Sequence, residues 1–408
     1  MDILFIHGNY PAQFVHLAQR LGQDGKHRVV FLTKRDDPEA HPLKGVTVRK
    51  FALHRDLSPE GHHYLLATEG AVLTGQAVVR ELLKLKAENF HPKLVIFHGG
   101  NGLGLFLRQL MPNARIVAYL EWWFTDKSNH WLQENCELND QLRAQMRNGI
   151  TLIELDQSDI AITATEWQRS QFPAHHHSKI QVIFDGVDTS FYYPGTVEGE
   201  CVLQVERSSC NPLILKRESR VLSYATRGME PVRGFPEFMR MLPDLLSLYD
   251  DLEVVIAGRD RAAYSYQAPG CDGSWKQWML KEIEPLCDLS RIHFTGLLNY
   301  GDYRKLLWRT DLHAYFSRPY ITSWGLFQAA ACGTPLLLNQ DSCIDYVFDN
   351  DDLLKGDLDD LNSLAALAAQ QLDCCFAKKQ SSLSLLLPQF KLEKSMELWQ
   401  ALLRRLLS

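Results

Sequence analysis

The sequence has no CxxC pair, no long basic run, and no stretch approaching the ~18 consecutive apolar residues that a membrane-crossing helix needs. Each absence removes a class of function. Nine cysteines, an odd number, are scattered at positions 136, 201, 210, 271, 287, 332, 343, 374 and 375. Without a CxxC spacing they indicate neither a zinc cluster nor a disulfide framework, and free thiols in a reducing cytosol are expected. A net charge of −6 without basic runs argues against nucleic acid as a partner. The apolar opening MDILFIHGNYP carries neither a basic leader nor a small-residue cleavage site, so it reads as a first strand. The expectation is a soluble, cytoplasmic chain with at most peripheral membrane contact. One further absence is local. The block RPYITSWGLFQAAACGTPLLLNQ (318–340) has the punctuation of a nucleotide-binding turn, yet it contains no Asp or Glu.

What is present is a long chain with ample core material. A length of 408 residues suggests two or three domains of ~100–200 residues, and an apolar fraction of 46% can fill their cores. In the first half, strand-like runs at 3–7, 29–33, 46–51, 94–99, 115–122, 159–165 and 179–188 alternate with helical periodicity at 71–86, 103–110 and 142–155. The second half repeats the pattern, with short β-rich runs at 220–226, 253–258, 292–296, 312–316 and 335–339. Such alternation predicts α/β architecture, with parallel sheets covered by helices on both faces. Two sets predict two doubly wound domains, divided after DGVDTSFYYPG, near 187–195. We take residues 1–190 as the first domain and 191–388 as the second, with a C-terminal helix at 389–408. The stretch 196–220 alternates poorly and reads as a surface hairpin.

Ligands of doubly wound sheets bind at the C-terminal strand ends. The loops there begin with Gly8, at the end of the first strand. HGGNGLG (98–104) opens with His98, which is placed to donate a hydrogen bond or handle a proton, but it is out of register with a dinucleotide fingerprint. Glu121 precedes Trp122-Trp123-Phe124, a carboxylate beside aromatic faces, which suits a sugar wall or an aromatic corner of the core. In YATRGMEPVRGFPEF (224–238), Arg227 and Arg233 precede a helix start, where forked guanidinium groups suit phosphate oxygens; two solvated surface arginines are the alternative. In 318–340, a loop through Ser323, Trp324, Gly325 and Leu326 opens a second helix whose N–H groups could meet an anion. His175-His176-His177 lacks completing ligands and reads as a loop. Asp349-Asn350-Asp351 spells DxD in an acidic turn and is not taken as a metal motif.

Taken in order and spacing, these blocks resemble glycosyltransferase family 4, with its GT-B architecture of two facing Rossmann-like domains. The resemblance is carried by ILFIHGNYPAQFVHLAQRL, TATEWQRSQFP with KIQVIFDGVDTSFYYP, YATRGMEPVRGFPEFM and RPYITSWGLFQAAACGTPLLLN. It implies sugar transfer from a nucleotide-sugar donor to a hydroxyl acceptor in polysaccharide, glycolipid or glycoconjugate assembly. The anomeric configuration would be retained, with no metal and no cofactor beyond the nucleotide-diphosphate sugar itself. The donor would sit on the second domain and the acceptor on the first. Arg227 matches the family's diphosphate Arg, Arg233 replaces its Lys shifted by one residue, and Trp324-Gly325-Leu326 matches the phosphate-binding helix start. His98 occupies the region of the family's catalytic-loop His. Counted from ACGTP, the family's two Glu positions fall on Tyr320 and Gln328. Gln328 can still accept a bond from a ribose hydroxyl, while Tyr320 brings no charge to the donor sugar. The resemblance also implies that the C-terminal helix, with Leu392, Met396, Trp399, Leu402 and Leu403 on one face, crosses back to the first domain. A catalytically silent nucleotide-sugar binder or assembly partner of the same fold is the competing reading.

Overall fold

The structure is a computed structural model that describes residues 1–58, 60–125, 132, 137–205, 212–347, 354–377 and 388–408. The described residues fall into two compact units. Residues up to 125, 137–186 and 393–408 make unit 1, and residues 187–392 make up the larger part of unit 2. The Asp349–Asp351 motif lies outside the described residues.

Unit 1 is built on seven strands. They are β1 (Asp2–His7), β2 (Arg28–Thr33), β3 (Val46–Lys50), β4 (Pro92–His98), β5 (Arg115–Tyr119), β6 (Ile160–Thr163) and β7 (Ile180–Val182). They pair in the order β3-β2-β1-β4-β5-β6-β7, every pair parallel. Ile3, Leu4, Phe5 and Ile6 are all fully buried, because both faces of β1 are covered. This is why the run reads as continuously apolar rather than alternating. Helices Val15–Gln23, Leu66–Ala87, Leu138–Gln157 and Glu166–Gln171 connect the strands. The final helix, Leu392–Leu407, buries Met396, Trp399, Leu402 and Leu403. Within unit 1, the Nε of Arg115 donates to the carbonyl of Leu406 at 3.0 Å.

The helix expected from Leu103 begins only at Leu107 and spans one turn, Leu107–Leu110. Gly102 has φ +87, and a Cβ there would run into the carbonyl of Ala71, so the loop passes against the neighbouring helix in a form that only glycine adopts. The Gly104 N–H is also committed elsewhere, as described below.

Unit 2 opens with an antiparallel pair, β8 (Cys201–Leu203) and β9 (Leu213–Leu215), where the sequence suggested a hairpin. Its main sheet comprises β10 (Arg220–Gly228), β11 (Leu252–Arg259), β12 (Ile292–Gly296), β13 (Leu312–Tyr315), β14 (Leu336–Asn339) and β15 (Lys355–Gly356). The order is β12-β11-β10-β13-β14-β15, again all parallel. Both sheets are therefore doubly wound, as the alternation predicts. Each reverses its strand order once, between β1 and β4 in unit 1 and between β10 and β13 in unit 2. Such switch points open a crevice at the C-terminal strand ends, because flanking connections leave toward opposite faces.

Helix Phe235–Leu248 forms the spine of the unit 2 core. Phe238, Met239 and Leu242 are fully buried, and the Phe238 ring stacks on Tyr224 at 4.7 Å. Truncating a fully buried aromatic leaves a cavity as well as losing transfer energy. Phe238→Ala is expected to destabilise unit 2 by about 3–5 kcal/mol in chemical denaturation. Leu248→Ala, on the same helix but 62% exposed, should change stability by less than about 0.5 kcal/mol. Equal losses from the two variants would contradict this packing.

Candidate active site

At the unit 1 switch point, β1 ends on His7 and β4 ends on His98. Both rings are buried, and their centroids lie 4.3 Å apart. Nδ1 of His7 accepts the Asn9 N–H at 2.8 Å, and its Nε2 lies 2.8 Å from Oε1 of Gln13. Nε2 of Gln13 donates to Oε1 of Glu121, the residue just past β5. Oε2 of Glu121 sits 3.3 Å from Nε2 of His98, an ion-pair contact rather than an aligned hydrogen bond. His98 also stacks on Tyr119 at 5.8 Å, and Tyr119 donates its phenol to Asp185 at 2.6 Å. Burial alone would lower the His98 pKa. The Glu121 carboxylate beside the ring outweighs that, helped by Glu154 and Asp185, and holds the pKa above its ordinary value. Burial likewise opposes ionisation of Glu121, but His98 chiefly pulls its pKa below the usual carboxylate value. Gly8, partly exposed, follows His7, and its carbonyl accepts from the Thr33 hydroxyl at 3.4 Å. Trp122 is buried beside Trp167, and Trp123 packs on Phe172, so the aromatic corner belongs to the core.

The glycine-rich loop after His98 encloses a carboxylate of the chain itself. Glu154, fully buried in helix Leu138–Gln157, accepts the N–H of Gly104 at 2.7 Å and the N–H of Gly100 on its other oxygen. A nest of backbone N–H groups of this kind is an anion site. Here Glu154 occupies it, so the loop serves to fix the strand end carrying His98.

Unit 2 repeats the device. Glu230, fully buried after β10, takes three backbone N–H groups on one oxygen: Ala263 at 2.8 Å, Tyr264 at 2.7 Å and Ser265 at 2.7 Å. This pins the loop after β11 and sets the Tyr264 ring beside both arginines, 5.8 Å from Arg227 and 5.7 Å from Arg233. Arg227 is exposed and donates to the Tyr264 hydroxyl at 2.9 Å. Arg233 is buried, and its Nη1 donates to the Ser317 hydroxyl at 2.9 Å and the Ile321 carbonyl at 2.6 Å. It thereby ties the loop after β13 to the loop after β10. Gly234, with φ +62, lets the chain turn into helix Phe235–Leu248, where a Cβ would meet Phe316 at 2.6 Å. The β13 loop enters helix Trp324–Ala331, and the Ser323 N–H donates to the Tyr315 hydroxyl at 2.7 Å. The Trp324 side chain is exposed, Gly325 is partly exposed and Leu326 is buried. Tyr320 is buried and tilts against Tyr264 at 5.6 Å. The Gln328 side chain is partly buried in the helix. Arg227, Arg233, Tyr320 and the helix start thus gather at one switch point, while Gly8, His98 and Glu121 gather at the other.

Residues 25–192 match the family model described as glycosyl transferase family 4 group, and residues 237–371 match one described as glycosyl transferase-like. The chain belongs to the GT-B glycosyltransferases. Its fold resembles that of sucrose-phosphate synthase from Thermosynechococcus elongatus, with a TM-score of 0.71 at 13% identity, covering 100% of this chain and 99% of that one. It also resembles HepE of Anabaena, solved in complex with UDP-glucose, with a TM-score of 0.61 at 14% identity, covering 98% and 99%. A putative UDP-N-acetylglucosamine 2-epimerase from Listeria monocytogenes shares the fold with a TM-score of 0.56 at 12% identity, covering 99% and 95%. A comparison with curated protein sequences gave no match.

Sequence reasoning about this glycosyltransferase missed His7, Gln13, Glu154, Glu230 and Tyr264. A histidine ending a strand, as His98 does, was a usable signal for His7. The two glutamates gave none, since each lies far in sequence from the N–H groups it accepts. His175, His176 and His177 lie on a 3₁₀ turn, Ala174–Lys179. Among the described residues no group of three or more His, Cys, Asp or Glu side chains could hold a metal ion. No described helix is long and apolar enough to cross a membrane.

Burial raises the Glu154 pKa to about 7, against the opposing pull of the Gly104 and Gly100 N–H groups. The folded glycosyltransferase therefore binds this proton more tightly than the unfolded chain. Stability from this group is full below the unfolded value near ~4.5 and falls as pH rises to about 7, by ~3 kcal/mol at most. Relative to Glu154→Gln, the wild type should therefore lose thermal stability between pH 5 and 8, the buried histidines contributing equally to both curves. Parallel curves would show that Glu154 is not the titrating group.

Proposed function

We propose that this chain transfers a sugar from a nucleotide-diphosphate donor to a hydroxyl of a glycan, glycolipid or glycoconjugate acceptor, with retention of anomeric configuration. One observation carries the reading. Two guanidinium groups converge on Tyr264 at the switch point of the unit 2 sheet, and one of them, Arg233, bonds to the loop that enters helix Trp324–Ala331. A guanidinium fork and a helix N-terminus both favour a phosphate, and together they form a diphosphate site. Arg227 would swing from the Tyr264 hydroxyl to a phosphate oxygen. Arg233, held by Ser317 and Ile321, would supply fixed positive charge from below. Gln328 would meet the ribose and Tyr320 the donor sugar. HepE was solved with UDP-glucose, so a uridine diphosphate sugar is the first donor class to test.

The reaction then follows from charge. The bond from the anomeric carbon to the leaving phosphate breaks, and negative charge grows on the diphosphate. Fixed positive groups that meet this growing charge lower the barrier most. The acceptor hydroxyl forms the new bond on the face the diphosphate leaves, and its proton passes to the departing phosphate oxygen. His98, Glu121 and Gly8 on unit 1 would orient the acceptor. Since the arginines and the helix start answer the diphosphate charge, turnover needs no divalent ion. Cytoplasmic glycan assembly is the setting this chemistry suits.

Tyr320, which brings no charge to the sugar, favours a second reading: a binder of nucleotide sugars without turnover. Release of nucleoside diphosphate from a panel of nucleotide sugars separates the two readings. The transferase reading expects release that survives excess EDTA and falls ~10²–10³-fold in kcat/KM on Arg227→Ala. Binding with no release supports the silent binder. Full activity in Arg227→Ala would refute the phosphate assignment.

A further inference from the structure

The hydrogen bonds around His98 run in one direction, and this assigns a role to residues outside the proposed substrate contacts. Nδ1 of His7 accepts from the Asn9 N–H, so it carries no proton. Neutral His7 therefore holds its proton on Nε2 and donates to Oε1 of Gln13. That bond orients the Gln13 amide, whose Nε2 donates to Oε1 of Glu121. Glu121 is left with Oε2 facing His98. Nδ1 of His98 makes no hydrogen bond among the described residues, so it is the ring nitrogen available to a ligand.

We propose that Gln13 and His7 are positioning residues. Through Glu121 they present His98 to the substrate as an imidazolium, with its Nδ1–H as the donor. The inference rests on the reading of His98 as a site residue, and goes beyond it by fixing His98's protonation state and naming what enforces it. A carboxylate free to rotate could turn away from His98. With Oε1 held by Gln13, its orientation is set, and the Gln168 amide fixes the Glu121 carbonyl at 2.8 Å. A second positive charge on the neighbouring ring would undo the arrangement. Burial, reinforced by the charge of His98, prevents it by pushing the His7 pKa down to about 3. The titratable groups facing His98 come from every packed element. They are His7 on β1, Tyr119 on β5, Glu121 beyond it, Glu154 on helix Leu138–Gln157 and Asp185 after β7. Glu121 and Asp185 favour the imidazolium, Glu154 adds to them as it ionises near pH 7, and His7, being neutral, does not oppose it.

An imidazolium cannot act as a general base. It donates a hydrogen bond and carries charge, so activity should fall as pH rises through the His98 midpoint. A general base would give the opposite limb.

The test uses the full chain with ¹⁵N-labelled histidine, followed by two-bond ¹H–¹⁵N spectra across pH. The two signals are assigned by their loss in His7→Gln and His98→Gln. The wild type should show His7 as the neutral Nε2–H tautomer and His98 doubly protonated at pH 6.5, with a midpoint above that value. Gln13→Met keeps the volume and removes both amide bonds. It should lower the His98 midpoint by about half a unit or more and shift the alkaline limb of kcat/KM by the same amount. Glu121→Gln should carry the midpoint below 6.5, and decides the matter if Gln13→Met does not fold. A His98 neutral at pH 6.5, or a midpoint unmoved in the folded variants, overturns the proposal. The spectra need no turnover, so failure here is distinct from failure of the transferase reading, which appears only in nucleotide release.

Discussion

A buried carboxylate that collects backbone N–H groups is the interaction on which both strand-end sites depend. Loops at the C-terminal edge of a parallel sheet leave donors with no partner in the ladder, and an unpaired buried N–H costs about as much as a lost hydrogen bond. Glu154 takes this role for the glycine loop of unit 1, and Glu230 takes it for the β11 loop of unit 2. Each supplies the acceptor oxygens, so each consumes a nest that could otherwise hold a ligand's phosphate. In exchange each loop is held still, and the side chains it carries or abuts are aimed: His98 in one unit, Tyr264 with its two arginines in the other.

The two sites are opposite in character. In unit 1 nearly every polar atom near His98 is partnered within the chain, in a linked set running from Asn9 to Glu121. Such a set specifies one arrangement and resists substitution piece by piece. In unit 2 the positive charge is only partly committed. Arg233 is locked beneath Tyr264, while exposed Arg227 makes one bond to a phenol that an incoming anion could replace. A fixed hydrogen-bonding surface suits the orientation of hydroxyls, and a positive group ready to exchange its partner suits a diphosphate. The proposal that unit 1 takes the acceptor and unit 2 the donor draws on this division.

Much of the fold was legible in the sequence because a parallel strand is apolar on both faces. ILFI, LVIF and VVIA announce themselves, and the helices between them follow from their periodicity. The strand ends were legible too, which is why His98, Glu121, Arg227 and the Ser323–Leu326 turn were read as strand-end positions. The partners of those residues were not. Gln13 and Glu121 are separated by 108 positions, and Glu230 reaches a loop more than thirty residues on. In ITLIELDQ, Glu154 looks like an ordinary solvent-facing residue of an amphipathic helix, and its burial depends on a loop fifty residues earlier. Arg233 read as an open phosphate ligand because its sequence neighbours say nothing of Ser317 or Ile321.

The central claim is that unit 2 holds a nucleoside diphosphate through Arg227, Arg233 and the start of helix Trp324–Ala331. Thermal unfolding of the full chain with nucleoside diphosphates of each base tests it most directly. At 100 times its dissociation constant a ligand adds ~2.7 kcal/mol, which is several degrees at ~2–4 °C per kcal/mol for a unit of this size. The account predicts a saturable rise with one base family that Arg227→Ala diminishes. A midpoint that no nucleotide moves would contradict it.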